Sequence, residues 1–213
     1  MTDEVLAEQV GYYRQRANEY DATAYGDVAA ARPRIARLVA ELRPRGRVLE
    51  IACGTGVWTE ALADLADSVL AIDAAPEAMA LARERVRSPN VRFEVADVFT
   101  WMTDDRFDTI FFSAWLSHVP LDRFERFWAI LRGLLTADGR VLFIDEHVDV
   151  RDKESFVADG VVERRLEDGR TFRIVKNFVE PAALRERLRE LGWECAIHRD
   201  GIDWIRGSAY PLR

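Results

Sequence analysis

Short apolar runs alternate with stretches of helical spacing through the middle of the chain. RVLEI (47–51), SVLAID (68–73), NVRFEVAD (90–97), FDTIFFSAW (107–115) and GRVLFIDEH (139–147) are rich in β-branched and aromatic residues, which suit a pleated, buried surface. Between them the pattern predicts helices over 57–66, from Pro76 onward, and over 121–135. Proline is well placed at a first helical turn, where its missing N–H would have been unpaired anyway. Strands alternating with helices imply right-handed crossovers and a parallel sheet covered on both faces. The expected fold class is therefore an open α/β fold.

The ends of the chain follow other patterns. VVERRL and TFRIVKNF flank an Asp168-Gly169 turn, which predicts a β-hairpin over 161–178. Pro181 opens a helix closed by Gly192, and WECAIHR and IDWIRGSAY then pair antiparallel, so the sheet ends on an antiparallel strand. At the front, a short helix near 3–17 and another over 33–42 are expected, with a break at Pro33. The expected organisation is one domain over 1–213: N-terminal helices in 1–44, a strand-helix half in 45–150, and the hairpin, last helix and terminal strands in 151–213.

Composition narrows the function classes. The 213 residues are 49% hydrophobic and 31% charged, as in ordinary globular proteins. Thirty basic against 37 acidic side chains give a net charge of −7, which disfavours nucleic acid as a partner. No run approaches the roughly 20 apolar residues of a membrane span, and no signal sequence opens the chain, so no membrane partner and a cytoplasmic location are expected. Cys53 and Cys195 have no second ligand at metal spacing; two free thiols and no metal are expected.

Candidate chemistry centres on VLEIACGTGVWT (48–59). A strand, an acid at its end, a glycine turn and a helix start make a loop that can approach a ligand closely and offer it free N–H groups. Thr59 stands where a dinucleotide-binding fingerprint would need its third glycine; the pattern is E-x-A-x-G-x-G, with further acids, Asp73 and Asp97, at the ends of the next two strands. Any one of these acids could be a helix cap, but ligands of open α/β sheets bind at the carboxyl ends of strands, where all three converge.

This arrangement resembles the class I S-adenosylmethionine-dependent methyltransferases, over about residues 10–210. The resemblance implies a seven-stranded Rossmann-like sheet, mostly parallel with an antiparallel last strand, helices on both faces, a short N-terminal lid and an inserted hairpin. It implies S-adenosyl-L-methionine as cofactor, with S-adenosyl-L-homocysteine as product. Asp73 would hold the ribose hydroxyls, Asp97 and Val98 the adenine, and Glu50, Ala52, Cys53, Gly54 and Gly56 the methionine part. Tyr13, Trp58 and Ser113 complete the expected cofactor set. Ala52 departs from the more usual glycine.

The acceptor is expected past the fourth strand, in FFSAWLSHVP (111–120). His118 is the candidate general base, since an unperturbed imidazole titrates near pH ~6.5; the alternative is a packing histidine. Tyr20, Trp115 and Arg173 are candidate acceptor contacts, Arg173 as a bidentate grip on an acidic substrate. The expected activity is methyl transfer to a small molecule, first at oxygen of a hydroxyl or carboxylate, with nitrogen or sulfur as alternatives. A cofactor-binding protein without turnover and, more remotely, a nicotinamide-dependent oxidoreductase are the rivals. A monomer or a homodimer fits equally.

Overall fold

In the computed structural model, which describes residues 3–212, the predicted strands form as β1 (Arg47–Ile51), β2 (Ser68–Asp73), β3 (Val91–Val95), β4 (Phe107–Ser113) and β5 (Leu135–Glu146). After them come β6 (Phe156–Ala158), β7 (Val161–Arg165), β8 (Thr171–Val175), β9 (Trp193–Asp200) and β10 (Trp204–Pro211). Seven strands make one sheet in the order β3-β2-β1-β4-β5-β10-β9. β1 to β5 pair parallel, and β10 lies antiparallel between β5 and β9. Residues 1, 2 and 213 of the expected span lie outside the described residues.

Alternation along the strands sorts side chains to two faces. Leu49 and Ile51 of β1 join a core with Phe124, Phe127, Trp128 and Leu131 of α5 (Phe124–Leu134) and Leu184 and Leu188 of α6 (Pro181–Glu190). Val48 joins the opposite core, with Ile35, Leu38 and Val39 of α2 (Val28–Leu42), Val57 and Leu62 of α3 (Val57–Ala63) and Met79 of α4 (Pro76–Arg85).

Three expectations need correction. The first helix, α1 (Asp3–Tyr25), is longer than 3–17. No proline and no glycine interrupt the stretch after Gly11 until Gly26, which takes φ +68° and donates to the Ala22 carbonyl at 3.1 Å. α2 starts at Val28, not 33, because the Asp27 carboxylate caps it by accepting from Ala29 N at 2.8 Å. Pro33 lies inside this helix; it gives up one backbone bond, while Ile35, Leu38 and Val39 bury the following turns. The hairpin also gains a third strand, β6, and forms a separate sheet in the order β6-β7-β8. A strand of only three residues has too little alternation to be read from sequence.

That small sheet is where α1 docks. Tyr12 of α1 packs with Val162, Leu166 and Ile174, and Val5 with Val161 and Val175. The lid helix and the small sheet thus form a roof over the carboxyl ends of β1, β2 and β4.

Candidate active site

The order of strands reverses at β1 and β4, whose neighbours lead away on opposite sides, so their carboxyl ends leave a crevice. Both chains turn sharply there. Ala52 takes φ +56° and Ala114 φ +47°, left-handed conformations costing roughly 1 kcal/mol each in an L-residue. Gly54 has φ +55° with open space where a Cβ would stand, and Gly56 has φ +81° with its Cβ position 3.0 Å from the Ala82 methyl. The loop after β1 therefore lies close to α4 at Gly56 and open at Gly54. A cavity of about 570 Å³ fills the crevice and runs beneath α1.

Acids hold one end of this cavity. The Asp73 carboxylate accepts from Gly54 N at one oxygen and from Ala75 N at the other, each at 2.8 Å. Burial pushes its pKa up, against these backbone bonds, and lone pairs remain on both oxygens. Asp97 accepts from Phe99 N at 2.9 Å and lines the cavity beside buried Val98. Glu50 sits beneath the loop at 1% exposure, accepting from the Thr59 hydroxyl at 2.6 Å. Desolvation raises its pKa to about 8, with Thr59 opposing and Asp73 adding to the rise.

The other end is built around an imidazole. His118 Nδ1 lies 2.7 Å from the Val175 carbonyl, which can only accept, so Nδ1 carries the proton and Nε2 is the acceptor. The Tyr13 hydroxyl reaches Nε2 at 3.0 Å. Burial, then the charge of Lys176, pushes the His118 pKa well below 6.5. His118 is thus a neutral ring engaged on both nitrogens. Gln9 of α1 fixes the same corner: its side-chain oxygen accepts from Val175 N at 2.9 Å. Lys176, 3% exposed, pairs with Glu146 and donates to the Ser117 hydroxyl at 3.2 Å. The indole N–H of Trp115 is buried without a partner among the described residues.

A second clasp holds α1 near the acids. Thr55 donates its hydroxyl hydrogen to Asp21 at 2.6 Å, and Arg85 bonds Asp21 and the Thr55 carbonyl, the latter at 2.6 Å.

Among the sequence-derived candidates, the cavity wall brings together Tyr13, Tyr20, Ala52, Gly54, Asp73, Asp97, Val98, Ser113, Trp115 and His118. Five others stand elsewhere. Glu50 and Gly56 support the loop from behind, Cys53 is buried with its thiol pKa raised by desolvation, and Trp58 packs on Phe111. Arg173, expected at the acceptor, lies outside the cavity, because Glu4 and Glu8 of α1 hold its guanidinium. Sequence reading missed Gln9 and Arg16, and from the basic residues crowding the hairpin it chose Arg173, whereas Arg164 and Lys176 are the ones that line the cavity. Gln9, Tyr13, Arg16 and Tyr20 fall at steps of four, three and four, one face of a helix, so the pairing of Tyr13 and Tyr20 as candidates pointed to Gln9 and Arg16 on the same face.

A seven-stranded sheet of this order, with a glycine loop after β1 and acids after β2 and β3 facing one cavity, defines the class I S-adenosylmethionine-dependent methyltransferases, and the chain belongs to that family. Residues 48–139 match the model of a methyltransferase domain. The solved DhpI–SAH complex is 39% identical and superposes with a TM-score of 0.88, covering 100% of this chain and 99% of that one; a DhpI–SAM–HEP complex agrees as closely. Malonyl-[acyl-carrier protein] O-methyltransferase of Paenibacillus sp. is 35% identical over 135 residues, 55% of this chain and 48% of the relative. Trans-aconitate 2-methyltransferase of Variovorax paradoxus is 36% identical over 75 residues, 35% of this chain and 29% of the relative. The chain thus spans about half or less of the length of these two curated relatives. The family's cofactor is S-adenosylmethionine, and the cavity fits it: Asp73 keeps acceptor capacity on both oxygens, and Gly54 leaves open space where a side chain would stand. Among the described residues no helix is long and apolar enough to cross a membrane.

Proposed function

We propose that the chain transfers a methyl group to a small-molecule acceptor, at oxygen. The observation that carries this reading is the single cavity with the Asp73 and Asp97 carboxylates at one end and the Tyr13–His118 pair at the other. Its volume of about 570 Å³ lies within the range of small-molecule sites. One similar protein is an O-methyltransferase by name, in agreement with oxygen.

In this reading Asp73 accepts from the ribose hydroxyls, and Asp97 with Val98 borders the adenine. Ala52 and Gly54 face the methionine part. Glu50 opposes an ammonium from beneath the loop, since a nearby cation favours the ionised form of a desolvated carboxyl. The bound sulfonium supplies an electrophilic methyl group. The protein contributes position: donor and acceptor held in line account for much of the rate of a displacement. Tyr13 directs its oxygen at the acceptor space, and His118 is a positioning residue that fixes the Tyr13 hydroxyl. Tyr20 and Trp115 wall the acceptor, which is kept from bulk water by α1.

The test is a thermal-shift comparison of S-adenosylmethionine, S-adenosylhomocysteine and NAD, followed by mass-spectrometric detection of S-adenosylhomocysteine formed with hydroxyl, carboxylate, amine and thiol acceptors. Stabilisation by both adenosyl ligands with turnover on an oxygen acceptor is expected. Binding without any turnover would leave a non-catalytic binder, and turnover only on amines or thiols would move the acceptor atom.

A further inference from the structure

Five cationic side chains line the cavity: Arg16, Arg123, Arg164, Arg165 and Lys176. Three are neutralised by carboxylates. Arg123 donates to Asp3 at 2.6 Å, Arg164 clasps Glu154 with two nitrogens, and Lys176 pairs with Glu146. Arg16 and Arg165 have no carboxylate partner among the described residues. Arg165 is exposed at the rim, so water accounts for it. Arg16 is half-buried, and its one donated bond goes to a neutral group, the Thr23 hydroxyl at 2.8 Å. Its guanidinium carbon lies 4.7 Å from the Tyr20 ring centre, and its charge acts on Tyr13 and His118. The nearby wall acid Glu19 is turned instead to the Glu167 N–H at 3.2 Å.

A half-buried guanidinium held over the Tyr12 and Tyr20 rings but facing no carboxylate keeps its paired N–H donors available to an anion that arrives from outside. Resting on the methyltransferase reading above, we propose that the acceptor binds as a small oxyanion, its charge met by Arg16 of the lid helix and assisted at the rim by Arg165. Guanidinium groups suit this task through paired N–H donors. The neutral, doubly engaged His118 agrees, because an anionic oxygen needs no base. The acceptor oxygen uses its own electron pair to form the O–C bond while the S–C pair returns to sulfur. One negative and one positive charge vanish together, and no proton moves.

Carboxylates and phosphonates share this chemistry, and the experiment separates them. Protein saturated with S-adenosylhomocysteine is titrated in a calorimeter with benzoate, phenylphosphonate and benzyl alcohol, using the wild type, Arg16→Gln, Arg16→Lys, Arg165→Gln and, away from the cavity, Arg37→Gln. At least one anion should bind more tightly than the alcohol. Arg16→Gln should weaken that anion tenfold or more with S-adenosylhomocysteine affinity unchanged, Arg16→Lys should recover part of the loss, Arg165→Gln should cost less, and Arg37→Gln nothing. Equal binding of alcohol and anions, no anion binding, or anion affinity unchanged in Arg16→Gln would each overturn the proposal. A protein that fails to bind S-adenosylhomocysteine would instead strike the methyltransferase reading itself.

Discussion

The Tyr13 hydroxyl donates to His118 Nε2 across 3.0 Å, so one hydrogen bond joins the lid helix to the segment after β4. The direction follows from the other nitrogen, whose proton is committed to the Val175 carbonyl. Tyr13→Phe keeps the ring and strips the donor, leaving a buried acceptor unpaired at a cost of about 1–3 kcal/mol. Calorimetry should record a melting temperature lower by several degrees, with adenosyl-ligand affinity little changed. An unshifted transition would mean that the imidazole finds another partner or none matters.

Glu50 predicts how stability varies with pH. Its pKa rises from the usual 4.5 to about 8, so between those values the folded chain keeps a proton that the unfolded chain has released. Stability must fall as pH rises through that window, and Asp73, also raised by burial, leans the same way. His118 acts oppositely: its lowered pKa removes stability as pH drops below about 6.5. Glu50→Gln, whose amide oxygen can still accept from Thr59, should flatten the decline of the ligand-free melting temperature between pH 6.5 and 8. A decline as steep as that of the wild type would refute the burial argument.

Asp73 is the most sensitive point for the cofactor. Asp73→Asn retains size but loses the charge and one of two acceptor oxygens, while the backbone bonds from Gly54 and Ala75 are contested. With charged hydrogen bonds contributing roughly 1.5–3 kcal/mol each, S-adenosylhomocysteine affinity should drop at least tenfold. Titration calorimetry reads this directly, and circular dichroism should find the fold intact. Wild-type affinity in the variant would remove the ribose assignment.

Gly207 tests the sheet rather than the site. It pairs with Phe143 across β10 and β5, and a Cβ there would come within 2.1 Å of the Phe143 ring. Gly207→Ala should destabilise by about 1–3 kcal/mol through overpacking, seen as a lower denaturant midpoint at unchanged slope. A midpoint equal to the wild type would mean that the ring moves aside freely.

The central strands and the E-x-A-x-G-x-G loop were legible because strand runs and glycine turns are local features, and Glu50, Asp73 and Asp97 lie at or just past strand ends. What escaped was long-range. Arg173 looked suited to grip a substrate, and nothing within the hairpin could reveal that Glu8, 165 positions earlier, would hold it. Arg16 escaped for the opposite reason: what sets it apart is that it has no carboxylate partner among the described residues, and an absent partner is not written in the helix pattern around it. His118 was recognisable as a site residue, but its protonation depends on the carbonyl of Val175, 57 positions away.

Helix α1 is fastened at both ends, by Gln9 to Val175 and by Asp21 to Thr55 and Arg85. One cavity beneath this helix holds both the acids and the Tyr13–His118 pair, so in the proposed reaction donor and acceptor pass under the same cover, the donor before the acceptor. The expected outcome is compulsory-order kinetics, cofactor first and spent cofactor last, so that an excess of acceptor slows turnover by trapping the exhausted complex.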